Sequence, residues 1–164
     1  MSAAARSAPI RPPALRRSLA IAAAALAAGI ADSLLVLTSD HFTDRGAWAV
    51  FGPLVGWSFV GTGLYACRRR PESRFGALMT LLGFAWFFAP LAAADSPLLF
   101  TLGLVLGGLW GPVLAHALLS FPTGRLETRG RRALVLAGYV LAPLAPVPAF
   151  LVSASEDLTE CDGP

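Results

Sequence analysis

Few residues in this chain have the chemistry of a reactive site, and they are scattered. Asp32 is the one acidic residue well inside a long apolar run. A carboxyl at such a position is expensive to keep in a membrane, which makes it a candidate proton or ligand site. Its place about five residues from the end of the run also fits a hydrogen-bonded structural Asp that reaches interfacial water. His116 lies near the end of another apolar run, where an imidazole could sense pH or simply face a neighbouring helix or the headgroups. His41, with Asp40 and Asp44, puts three potential ligands in one short loop. One loop makes no defined coordination shell, so no metal site is expected there. Cys67 and Cys161 are the only cysteines, with no CxxC and no Cys/His cluster, so zinc, redox and disulfide-framework readings lack support. Gly61-Thr62-Gly63-Leu64-Tyr65-Ala66 matches a GxGxxA fingerprint, but it sits in an apolar run with no preceding strand, and the match is accidental. No Ser/His/Asp or Cys/His triad and no P-loop can be proposed. No catalytic residue, cofactor or metal is therefore expected in this chain.

The elements around these residues are apolar. Of 164 residues, 14% are charged. A soluble domain carries roughly a quarter. The first 18 residues, rich in Pro, Ala and Arg, read as a disordered tail. Five apolar runs follow, near residues 19–37, 47–66, 75–94, 98–119 and 133–152, with an outer segment over 153–164. The first run is about 28 Å long as a helix, close to the ~30 Å hydrocarbon core. It is also longer than the h-region of a signal peptide. Strands would be shorter and would alternate in polarity, whereas a helix satisfies its own backbone in lipid. The expectation is an all-α polytopic membrane protein of about five transmembrane helices, placed in the cell membrane.

The basic residues set its orientation. All 13 are arginines. Arg6, Arg11, Arg16 and Arg17 precede the first run; Arg68, Arg69, Arg70 and Arg74 join the second to the third. Arg125, Arg129, Arg131 and Arg132 join the fourth to the fifth. These twelve fall on one side of a five-helix alternation, and the other side receives only Arg45, with most of the acidic residues. The positive-inside rule makes the arginine side and the N-terminus cytoplasmic, with the arginines as headgroup anchors. Arginines placed as flanks of apolar runs argue against a nucleic-acid partner. Gly103, Gly107 and Gly111 are spaced by four on one helix, so they form a candidate packing face, either within the bundle or as a homodimer seam.

Two segments resemble the N-terminal membrane region of actinobacterial sensor histidine kinases. One is Arg70-Pro71-Glu72-Ser73-Arg74-Phe75-Gly76-Ala77-Leu78-Met79, with Gly83-Phe84-Ala85-Trp86-Phe87 beyond it. The other runs from Leu109-Trp110-Gly111-Pro112 through His116 to Ser120-Phe121-Pro122-Thr123-Gly124-Arg125-Leu126. The likeness covers roughly residues 45 to 150. It implies a sensory input region of a two-component system, with a cytoplasmic response regulator reached through a kinase part that is not in this chain. The family's phospho-acceptor histidine has no counterpart here, because His41 is placed outside and His116 in the membrane. On this reading the chain is a fragment whose parent crosses the membrane again after Pro164. The rival reading is a small complete membrane protein, such as a transporter component or a structural subunit. Physical chemistry alone says only that Pro71 stops a helix, and that Pro122 and Gly124 turn the chain as it leaves the membrane.

Overall fold

The computed structural model describes residues 12–39 and 44–148. The expectations for residues 1–11, for Asp40 and His41, and for Cys161 with the rest of the C-terminal segment fall outside the described residues. Helix α1 spans Pro12–Thr38, α2 Arg45–Arg69, α3 Phe75–Trp86, α4 Pro97–Leu106, α5 Trp110–Ser120 and α6 Arg129–Leu144. A 3-10 segment, Ala89–Ala93, prolongs α3, and another, Gly107–Leu109, joins α4 to α5. The described residues thus form five antiparallel rods and are all-α.

Helix α1 begins at Pro12, so residues 12–18, expected as part of a disordered tail, are helical. Proline is well suited to the first turn of a helix, where its missing N–H costs nothing, and Ala14, Leu15, Arg16 and Arg17 are good helix formers. Four rods are long and apolar enough to cross a membrane: Leu15–Thr38, Arg45–Arg69, Phe75–Ala93 and Pro97–Ser120. The fifth, α6, has 16 residues, shorter than the 133–152 run from which it was expected. Pro143, Pro146 and Pro148 fall where it ends, and each removes a backbone donor.

Prolines also shape the longer rods. Pro112 cannot donate to Gly108, four residues back, and the fourth rod tightens into its 3-10 turn just before this residue. Pro90 sits in the first turn of the 3-10 segment after α3. Pro53 lies inside α2 and strips the Ala49 carbonyl of its helical partner. Ser33 of α1 donates its Oγ–H to that carbonyl at 2.7 Å, so a side chain of the neighbouring rod replaces the missing bond.

The tightest packing is between α2 and α3. A Cβ on Gly76 would come 2.8 Å from the Gly63 carbonyl oxygen, and one on Gly83 would come 2.6 Å from that of Gly56. Glycines seven apart on each helix therefore let the two backbones touch. The principal core cluster is small: Met79, Leu82, Ala85, Val113 and Ala117, flanked by Phe59, Phe75 and Tyr139. Large apolar side chains otherwise face outward, among them Ile30, Leu34, Phe51, Leu118, Leu134 and Val140. Water would penalise such a surface and lipid does not. The chain is a multi-pass membrane protein, consistent with the cell membrane.

Candidate functional site

The ten described candidate anchors, Arg16, Arg17, Arg68, Arg69, Arg70, Arg74, Arg125, Arg129, Arg131 and Arg132, are all exposed. Antiparallel packing gathers them at one end of the bundle. There the α2–α3 turn and the α5–α6 turn, about fifty residues apart in sequence, lock together. Pro71 ends α2 by holding Arg70 out of helical geometry, at φ −137° and ψ 73°. Ser73 then accepts from the Phe75 N–H at 3.2 Å and donates its hydroxyl to the Pro122 carbonyl at 2.9 Å. The Arg74 N–H donates to the Thr123 carbonyl at 3.2 Å. Phe75 meets Phe121 edge to face with centroids 5.3 Å apart. Gly124 completes the joint. Its φ of +73° lets its N–H return to the Ser120 carbonyl at 2.7 Å, and a Cβ there would strike the Phe75 nitrogen.

Beyond this joint, Thr128 caps α6 by accepting from the Arg131 N–H at 3.3 Å. The Arg131 guanidinium donates to the Leu119 carbonyl at 3.2 Å, and that of Arg132 donates to the Leu126 carbonyl at 3.0 Å. An open cleft of about 650 Å³ lies here, with Arg74, Arg125 and Arg132 on its polar side and Val135 and Leu136 on its apolar side. His116 also lines the cleft and is half-buried, with Nδ1 3.4 Å from the Tyr139 hydroxyl. Cys67 is half-buried against Gly76 on the same end of the bundle.

At the opposite end Ser39 donates to the Ala93 carbonyl at 2.9 Å, tying the end of α1 to the 3-10 segment after α3. One helical turn further into the bundle than Val36, and on the same face of α1, lies Asp32. Its side chain is 4% exposed, and neither carboxyl oxygen has a hydrogen-bond partner. It is turned inward, toward Gly52 of α2, rather than out to the interface.

The three glycines of the fourth rod part company. Gly103 is pressed on the backbone of Leu91 and Ala92, and Gly107 on Ala89, whereas Gly111 has open space before it. Two of the three thus serve contact with the preceding 3-10 segment of the same chain. Of the α2–α3 glycines, the spacing-by-four rule finds Gly56, paired with Gly52, and misses Gly63, Gly76 and Gly83, whose spacing of seven is the one used in the contact. Among the described residues no three His, Cys, Asp or Glu side chains are grouped as metal ligands would be.

Comparison with known proteins finds no matching family model, no similar curated protein and no similar solved structure. The arrangement defines the class, a small all-α polytopic membrane domain.

Proposed function

We propose that this chain is the membrane-embedded input region of a two-component sensor histidine kinase, with its arginine end in the cytoplasm. One observation carries the reading. The two segments that resemble this family, around Arg70–Phe75 and Phe121–Arg125, are bonded to each other through Ser73 and Arg74. A joint between the α2–α3 turn and the turn that leads from α5 into α6 is where a rearrangement of the bundle would be passed along the chain. Signal transfer on this reading is a two-state shift of helices that biases a kinase homodimer, and the response regulator is met only by the kinase part.

The gene tests it. A reading frame that continues past codon 164 into a sixth apolar run of roughly 20 residues, then an Arg-rich step and a kinase core, is expected. A stop codon there with no kinase sequence downstream in any frame would remove the reading's support. In the intact parent, Ser73→Ala should change the stimulus dependence of autophosphorylation without abolishing it. The isolated chain, incubated with labelled ATP, should stay unlabelled.

A further inference from the structure

The buried carboxyl of Asp32 has a role that the joint at the other end does not explain. On α1 and at the residue just after it, positions 25, 29, 32, 36 and 39 are all buried, spaced alternately by four and three. This is the seam of a helix packed at a shallow angle on its neighbour, where every position but one should be apolar or small. Asp32 occupies the middle of that seam.

The donors around it are already engaged. Ser33 Oγ–H serves the Ala49 and Gly29 carbonyls, at 2.7 and 3.0 Å. The Trp86 indole donates to the Gly52 carbonyl at 3.0 Å, and the Trp57 indole donates to the Ala25 carbonyl at 2.8 Å. Among the described residues no charged group faces Asp32 from the packed elements. Helix α3 and the 3-10 segment after it contain no titratable side chain. On α2 the nearest is Arg45, seven residues before Gly52 and so about 10 Å along the axis. Asp44 and Asp95 flank these elements at their ends and carry the same sign as a carboxylate. An ionised carboxyl without donors or a cation is far more costly in an apolar interior than a neutral one.

We propose that Asp32 is a proton-binding site, whose carboxyl is held neutral in the packed bundle and exchanges its proton with water at the acidic end. The distance is short, because Asp32 lies six residues from the end of α1, or about 9 Å along the axis. The step is simple: the carboxylate takes a proton from hydronium and gives the acid and water, with no other reactant. Loss of the proton puts a charge into the α1–α2 seam and works against its closure, so the packing of α1 is linked to proton occupancy. This inference is independent of the sensor reading.

Infrared spectroscopy of the whole chain in detergent at neutral pH tests it. The other carboxyls described, Asp44, Glu72, Asp95 and Glu127, lie at exposed ends, so the carbonyl stretch of a buried protonated acid should be the one that Asp32→Asn removes. The band should shift in heavy water, vanish in Asp32→Asn, and disappear and return as the pH is raised and restored. Spectra showing only ionised carboxylate at neutral pH would overturn the proposal. So would a band that is lost when sodium ions are added at fixed pH, which would make the occupant a metal cation. Should Asp32→Asn fail to fold, the heavy-water shift and reversible titration of the natural chain still decide the matter.

Discussion

At the scale of single residues, Gly124 is the position least open to change. A side chain there would be held at positive φ, which costs an L-residue about 1–2 kcal/mol, and would also collide with backbone at Arg74 and Phe75. We expect Gly124→Ala to lower the thermal midpoint in detergent, with a loss above about 2 kcal/mol, and Ser73→Ala to cost roughly 1 kcal/mol for its hydrogen bond. Thermal melts of the two variants check the order, and a Gly124→Ala protein as stable as the parent would show that the turn rearranges freely. The sequence announces a turn at Pro122 and Gly124, since both residue types punctuate helices. It does not announce the partner, because a contact across fifty residues leaves no local signature. Asp32 divides in the same way. Its rarity within an apolar run is plain from the sequence, whereas its inward direction depends on the α1–α2 register, which is set by packing.

Between helices, the deciding quantity is how closely backbones approach. The spacing-by-four rule finds Gly103, Gly107 and Gly111 but treats them as one face. Pro112 and the 3-10 turn before it separate Gly111 from the other two, so the helical periodicity on which the rule depends is interrupted there. The α2–α3 glycines follow a period of seven, the repeat that keeps a side-chain stripe facing a neighbour at a shallow crossing angle. A distinct set of consequences follows for leucine substitutions. Gly63→Leu and Gly103→Leu should each cost several kcal/mol or prevent folding, as overpacking against rigid backbone allows no relaxation. Gly111→Leu should leave the melting temperature of the monomer nearly unchanged, since among the described residues nothing lies within 4 Å of a Cβ there. If Gly111→Leu instead abolishes self-association in detergent while Gly103→Leu acts only on folding, the homodimer seam lies at Gly111. Equal loss of monomer stability in all three variants would contradict the packing described.

Over the whole molecule, the balance of charge and apolar surface is the most legible property. The outward-facing leucines, valines and phenylalanines were readable as apolar runs, because a bundle with so small a core must leave most of its large side chains at its surface. The ends of the runs were less readable: α1 begins six residues before Ser18, and α6 stops at Leu144, where prolines rather than hydrophobicity decide. All ten described candidate anchors nonetheless gather at one end, and Asp44, Arg45 and Asp95 at the other. The positive-inside rule acts on such an asymmetry, so the α2–α3 turn should be cytoplasmic and the loop before α4 should face out. Cys67 is a poor reporter of this, since half-burial against Gly76 alone could protect it. Glu72 and Asp95 are exposed at the two ends and make better ones. With both native cysteines changed to serine, Asp95→Cys should react with a membrane-impermeant maleimide in intact cells, and Glu72→Cys only after the cells are opened. The reverse pattern would invert the protein in the membrane and turn its arginine joint away from any cytoplasmic kinase. Reaction of both in intact cells would mean that an odd number of rods between them crosses the bilayer is wrong, because a single crossing, the Phe75–Ala93 rod, must separate the two probes.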